Sequence, residues 1–517
     1  MSGDARGVDG SGGRGHAVVI GSGFAGLTAA RALANSVDRV TVIERDPLPP
    51  GAARRRGLAQ ARHTHTLTTA AQQGLEQLFP GIGGDLRRAG AVEICLPRDA
   101  LVLGPAGWLP RFTSGLTMLS AGRDLIDAVL RERLRTEPGV HFLPGHEVLA
   151  LHPDRNDTVT GVWVRARNRH RPGGWDAERL IPADFVVDAS GRHSRAPAWL
   201  AALGYEPPPE TVAASRTTYV SSLFAPPVGH VADWQSLLLM AAPDNPRQGT
   251  LNLIEGGRWS VTLALGEDEQ PPADHAGLLR AAGRLRHPLL HDLLQSATPL
   301  GPVYACTGTD NRWRHYEKLR RWPDQFLVVG DALATVDPAH GQGMTLAVQG
   351  ALVLDHVLAG HGTTVGLAYR LRRALAHRLA PAWQSSTRHL RTHTAPTPPR
   401  GLRARLARRY TARLAARAAT DPHAATRLLA RLQAAGPLAA VPRPAPPPRP
   451  TPVPAPAPAA ARWPAPPSIT HGAHARPRRA APTPPAIGVA TGSARLHPAG
   501  SSAQWSAPAP AGERRHP

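Results

Sequence analysis

The hydrophobic positions follow two rhythms, continuous runs and alternation. Ala17–Ile20 is an unbroken apolar run, Leu27–Leu33 is a stretch of small and apolar residues that predicts a helix, and Arg39–Ile43 is a second short strand pattern. Strand, turn, helix, strand in this order predicts an α/β layer. Further along, Gln325–Val329 reads as another apolar strand and Thr345–Leu358 as a helix. Between them Leu101–Leu103, Arg216–Phe224, Ser236–Met240, Gly249–Glu255 and Arg258–Leu265 carry alternating or β-branched patterns, with Glu255-Gly256-Gly257 as a hairpin connection. They predict a mainly β region. In Leu119–Leu134, residues Leu125, Ile126, Val129 and Leu134 form the apolar side of an amphipathic helix. Val365–Leu390 continues helical and Pro396–Pro399 marks a break. Leu402, Leu406, Tyr410 and Leu414 then recur every four residues among arginines, which predicts an amphipathic basic helix.

Composition sets the limits of this picture. A chain of 517 residues can bury one or two enzyme-sized cores. The hydrophobic fraction of 42% is ordinary, and no uninterrupted apolar stretch reaches the roughly 20 residues of a membrane span. Met1–Gly15 is polar and Gly-rich, without the apolar core of a signal peptide, so a disordered start and a cytoplasmic location are expected. Cys95 and Cys306 are too few for a disulfide framework or a metal cluster, and two buried reduced thiols are expected. Redox chemistry would have to come from a cofactor. The net charge of +22 is concentrated late in the chain: from Arg391 to Pro517, 19 arginines face only Asp421 and Glu513. From Val441 onward the chain holds 21 of its 54 prolines, which predicts a disordered, partly polyproline-like tail. Lys318 is the only lysine, so the arginine excess looks like coding bias and says little about partners.

The glycines carry the first chemistry. Gly21, Gly23 and Gly26 have the spacing G-x-G-x-x-G between a strand and a helix, and Glu44 ends the next strand 21 residues after Gly23. Gly21 permits the tight turn, Gly23 lets backbone approach a pyrophosphate, and Gly26 lets the helix pack on the strand. The helix N-terminus favours negative charge, and the Glu44 carboxylate can accept from ribose hydroxyls. A dinucleotide site is expected. The second contact would lie about 290 residues later, where Gly330-Asp331 ends a strand and Asp337-Pro338-Ala339-His340-Gly341-Gln342-Gly343-Met344 opens a helix. Asp331 offers a carboxylate for a ribose or for a water near the pyrophosphate, and the turn offers N–H groups that would suit an anionic flavin edge.

These two segments resemble the ends of the FAD site in flavoprotein monooxygenases of the aromatic hydroxylase fold. Asp188-Ala189-Ser190-Gly191-Arg192-His193-Ser194-Arg195, followed by Pro197, Trp199 and Gly204-Tyr205, looks like that family's middle motif. The resemblance implies that Arg123 clamps the pyrophosphate and that backbone at Val148 meets adenine. Phe24 and Ala25 in the glycine turn and Arg45 beside Glu44 complete the implied contacts, with Pro338, Gly341, Gly343 and Met344 at the flavin. Gln60–Leu67, Gly256–Leu263 and Arg312–Leu319 are similar to bacterial oxidoreductases that include polyene epoxidases of polyether assembly. Where such relatives often carry Asn and Tyr at the flavin turn, this chain has Asp337 and His340. The Trp-x-Trp-x-Ile-Pro segment of halogenases of this fold is missing.

The fold expected is α/β: a Rossmann-like FAD-binding domain with an inserted mainly β substrate domain, C-terminal helices and a disordered Pro/Ala/Arg-rich tail. Residues 1–15 would be the disordered start. The oxidoreductase would span 16–390, its FAD part 16–80, 115–200 and 300–390 and its substrate sheet 81–114 and 201–299. Residues 391–440 would form the basic helical segment and 441–517 the tail. The resemblance implies a monooxygenase that uses FAD, NAD(P)H and O2 to epoxidise or hydroxylate a hydrophobic small molecule such as a polyketide or isoprenoid chain. An alkene reductase, or a basic-tailed FAD-binding protein without turnover, is the alternative. His63, His65 and His340 are acid or base candidates, and no catalytic residue or metal ligand is assigned. Trp234, Leu253, Trp259 and Leu263 are either cavity lining or core. The basic helix is expected to dock on the enzyme, with weak membrane-surface contact as the rival; the lack of interleaved aromatics argues against nucleic acid.

Overall fold

The computed structural model describes residues 15–433 apart from 56–58, 169, 171–173, 216, 243, 267–268, 339–340, 362–365 and 395–401. Five parallel strands form the central sheet, in the order Phe326–Val328, Phe185–Asp188, His16–Ile20, Arg39–Glu44, Val140–Pro144. His16–Ile20 sits in the middle, with Ala17 opposite both Phe185 and Val40. Ala17, Val18 and Val19 are fully buried, as expected for a parallel strand covered on both faces. Helix Phe24–Ala34 packs against both Arg123–Arg135 and Gln342–His361 beside this sheet. A three-stranded antiparallel sheet, His146–Pro153, Val159–Ala166 and Arg179–Pro182, packs against Arg39–Glu44 and Phe185–Asp188. The chain is therefore a mixed α/β protein with a Rossmann-like parallel sheet and added antiparallel sheets.

All five strands predicted for the β region join one eight-stranded sheet. They are observed as Ala100–Gly104, Thr218–Ala225, Ser236–Leu239, Gln248–Ile254 and Arg258–Leu265. Arg216 itself lies outside the described residues. The hairpin at Glu255–Gly257 holds Gly256 at φ 73° and Gly257 at φ 69°, a conformation that favours glycine. One face of this sheet packs Leu101, Val220, Leu237, Leu251, Trp259, Val261 and Leu263 against helices His275–Ala282 and Leu289–Ser296. Trp234 and Leu253 join the same cluster. All four residues considered as cavity lining thus belong to this cluster: the strand period of two turns Leu253, Trp259 and Leu263 away from the open side, and Trp234 packs there from the segment before Ser236–Leu239.

Three further expectations are corrected. Leu119 belongs to the strand Thr113–Ser120, the helix starts at Arg123, and Leu130 rather than Val129 is fully buried. Cys95 and Cys306 are free but only half-buried. On the basic helix, observed as Leu402–Ala418, the stripe splits: Leu414 is buried while Leu406 and Tyr410 are exposed. Docking comes instead from the hairpin it forms with Pro422–Gln433. Leu414, Ala418, Ala425, Leu428 and Leu429 pack against Ile94, Leu96, Val102 and Met118. Gln342–Gly360 is long and apolar enough to cross a membrane, yet it packs against helices Phe24–Ala34, Thr69–Leu78 and Leu367–Thr394. Pro396–Pro399 and the Pro-rich tail lie outside the described residues.

Candidate active site

A cavity of about 780 Å³ runs from the carboxyl ends of the parallel strands to the open face of the eight-stranded sheet. It brings together Gly21, Gly23, Phe24, Ala25, Glu44, Arg45, Arg123, Val148, Asp331, Pro338, Gly341, Gly343 and Met344, which lie up to 323 residues apart in the chain. Of the residues singled out for a cofactor, only Gly26 is not on its wall. A Cβ there would stand 1.9 Å from the Gly21 carbonyl oxygen, so Gly26 is the point where helix and turn touch. At Gly23, Gly191 and Gly343 a Cβ would meet nothing within 4 Å, so backbone borders open space. Gly21 has φ +97° and donates its N–H to the Ile43 oxygen at 2.8 Å, which joins the turn to the second strand.

Glu44 is held before any ligand arrives. Its Oε2 accepts from Ser22 N at 3.0 Å, Ser22 Oγ at 2.7 Å and Arg55 Nη2 at 2.5 Å, and its Oε1 accepts from Asp46 N at 3.0 Å. Burial raises the carboxyl's pKa, but the Arg55 guanidinium and the donors of Asp46 and Ser22 outweigh it and hold it below the ordinary value. Arg55, buried itself, also donates to the Ser22 carbonyl at 2.9 Å and lies 4.0 Å from Asp127. Asp127 in turn accepts from Arg123 Nε at 2.7 Å. Arg123 is only 5% exposed, so it is a buried wall residue rather than a solvent-facing charge at a helix start. Sequence reasoning missed Arg55; its place in an Arg-rich loop gave no pattern to mark it.

Asp331 follows the Phe326–Val328 strand and faces the cavity, enclosed by protein. That enclosure raises its carboxyl's pKa, against the opposing pull of Arg123 and Arg192. Asp188, fully buried, accepts from Ser190 N at 2.9 Å and Ser194 Oγ at 2.5 Å, and so shapes the turn that brings Ser190, Gly191 and Arg192 to the wall. His63 and His65 also line the cavity, while His340 lies outside the described residues. His63 Nδ1 shares a hydrogen with Ser221 Oγ at 2.8 Å, and burial followed by the charge of Arg62 lowers its pKa to about 4. It is neutral at neutral pH. Asp337, which departs from the family pattern, is buried and accepts from Tyr219 OH at 2.5 Å and Ser215 Oγ at 2.8 Å. The far wall is supplied by Leu429, Leu432 and Gln433 of the last described helix.

A glycine turn at a helix start, an acidic second-strand end, an arginine and a second glycine turn on one cavity define a dinucleotide-binding α/β fold. Residues 15–388 match the family described as FAD binding domain, and the chain belongs to that family. It is 33% identical to protein Rv3254 of Mycobacterium tuberculosis over 71% of this chain and 78% of that one. It is 27% identical to kynurenine 3-monooxygenase of Salinispora tropica over 66% and 72% of the two chains. The solved structure of p-nitrophenol 4-monooxygenase from Pseudomonas putida superposes with a TM-score of 0.53 at 18% identity, covering 81% of this chain and 97% of that one, a likeness of fold. The protein is an FAD-dependent oxidoreductase of the monooxygenase class.

Proposed function

We propose that this enzyme uses NAD(P)H and O2 to insert one oxygen atom, by epoxidation or hydroxylation, into a hydrophobic secondary-metabolite substrate such as a polyketide or isoprenoid chain. The observation that carries this reading is a single cavity that joins the glycine cradle to an enclosed end roofed by a sheet. The open positions at Gly23 and Gly343, the buried guanidinium of Arg123 and the cavity-facing carboxylate of Asp331 fit FAD. Gly21, Gly23, Phe24, Ala25 and Arg123 would hold its pyrophosphate, with Gly26 keeping the helix close. Glu44 and Arg45 would meet the ribose and Val148 the adenine, Asp331 would lie near the pyrophosphate, and Pro338, Gly341, Gly343 and Met344 would hold the flavin end. When bound, FAD would carry the reducing equivalents of NAD(P)H and supply the activation of oxygen.

The chain's own residues bind, orient and exclude water. Asp337, through Tyr219, Ser215 and the Asn311 side chain that accepts from its N–H, ties the turn before Pro338 to the sheet roof. Helix Pro422–Gln433 lines the end opposite the parallel sheet with Leu429, Leu432 and Gln433. A cytoplasmic location is part of this proposal. The test is to purify the full chain, record its flavin spectrum and follow NAD(P)H consumption with polyene and aromatic substrates under heavy-isotope O2. A product carrying the label supports the reading. An unlabelled product two hydrogens heavier, formed equally well without oxygen, would show a reductase.

A further inference from the structure

We infer that the substrate is an uncharged molecule with several oxygens along one edge and an apolar opposite edge, recognised by the cavity-facing side of the eight-stranded sheet. This rests on the reading of the cavity given above. The strand registers supply the argument. Val102, Leu238, Thr250, Thr262 and Ser221 stand in one row across five strands. Ala100, Ser236, Asn252 and Ser260 form the next, and Gln248, Ala264 and Tyr219 the third. The face therefore grades from apolar at Ala100–Gly104 to hydroxyl and amide at Gln248–Ile254 and Arg258–Leu265. The other face of the same strands is apolar and packed on helices. A slip of one residue would exchange the two faces, so the polar roof is fixed by register.

Part of this polar surface is committed and part is unspent. Thr262 Oγ1 bonds Ser221 Oγ at 2.6 Å and Thr64 Oγ1 at 2.9 Å, which ties the His63–Thr66 loop to the roof. Asn252 Oδ1 accepts from Ser236 Oγ at 2.6 Å, which leaves its amide hydrogens for a guest, and among the described residues the Gln248 amide has no protein partner. A pure hydrocarbon would strip water from these groups and give no hydrogen bond in return. A carbonyl or hydroxyl edge would satisfy them. The apolar edge would lie against Leu96, Met118, Leu429 and Leu432. Of the arginines near the cavity, Arg45, Arg55 and Arg123 stand on the parallel-sheet side, Arg192 is held by the Asp310 carbonyl at 3.1 Å, and Arg62 stacks on the Tyr304 ring at the Ser221 edge of the roof, whereas the charge behind the third row is the buried carboxylate of Asp337, reached through Tyr219. Among the described residues no cation is paired at Thr250 or Asn252, so a substrate carboxylate against these two would be buried without a counter-charge.

The experiment titrates the full, FAD-loaded chain with three planar probes: a dihydroxyanthraquinone, an anthraquinone carboxylate and anthracene. The dihydroxy probe should bind about tenfold more tightly than either of the others. Asn252→Leu, and Gln248→Leu should the first fail to fold, are each expected to remove most of that preference while FAD content and anthracene affinity stay unchanged. Equal or tighter binding of the carboxylate or anthracene, no binding of any probe, or an unaltered preference in both variants overturns the inference. Flavin absorbance is read on the same samples. A chain that retains no FAD would sink the cofactor reading, and the probe ranking on that chain would still decide this one.

Discussion

At the scale of single residues, the cradle is rigid because charges fix it from below. Arg55 and Glu44 are nearly excluded from water, and Ser22 shares hydrogen bonds with both. Arg55→Leu would leave the Glu44 carboxylate without its cation and should cost about 3 kcal/mol, read as a lower denaturant midpoint with unchanged slope. Because the folded-state pKa of Glu44 is depressed, its contribution is present above the ordinary value of 4.5 and lost as pH falls below it. The variant should therefore also lose part of the wild-type drop in stability at acid pH. His63 has the same sign for a different reason. Burial favours its neutral form, so the unfolded chain binds the extra proton and stability falls as pH drops from 6.5 toward about 4. His63→Gln should show a flatter Tm-versus-pH curve across that window, and an identical curve would refute the assignment. Gly23 separates binding from folding. Its Cβ position is open, so Gly23→Val should leave the apo Tm within about 1 °C, a shift small beside that of a typical destabilising substitution, while abolishing FAD retention.

At the scale of elements, periodicity made the strands legible but not their orientation. The runs at Ala17–Ile20, Arg39–Ile43 and Gln325–Val329 could be placed because continuous apolar sequence has one use beside a glycine turn, the middle of a parallel sheet. The eight-stranded sheet gave its strands but not its faces. Trp259 and Leu263 read as cavity lining or as core until helices His275–Ala282 and Leu289–Ser296 were seen to cover them. The polar alternates Thr250, Asn252 and Thr262 carried no motif, so the wall they form was unreadable. Likewise Leu406 and Tyr410 fit the helical stripe yet stay exposed, since propensity fixes which residues share a face and not how much of that face finds a partner. The helix Pro422–Gln433 is where docking is real. Ending the chain at Thr420 would uncover Leu96, Val102 and Met118, and should lower Tm by several degrees and raise dye binding to exposed apolar surface.

At the scale of the whole molecule, the cavity is assembled from both ends of the described chain. Residues near Gly21 line one end and the helix ending at Gln433 lines the other, so the proposed cofactor cradle and substrate wall should be separable by mutation. The Pro-rich segment beyond should be separable too. Deleting Pro442–Pro517, which holds most of the late prolines and little apolar material, should leave Tm and FAD content as they are. The sharper experiment is at the wall itself. Leu432 is half-buried and lines the cavity beside Leu429, so a larger side chain there can grow into the cavity without opening the core beneath. Leu432→Trp should keep FAD content and Tm while lowering the rate of oxygenated-product formation by about tenfold, because a substrate displaced by even one ångström loses its alignment. Oxidation of NAD(P)H without substrate should persist in this variant, since the residues around Gly21, Arg123 and Asp331 are untouched. Loss of both rates together would mean that the C-terminal helix supports the cofactor end, and equal turnover with wild type would mean that Leu432 does not face the substrate.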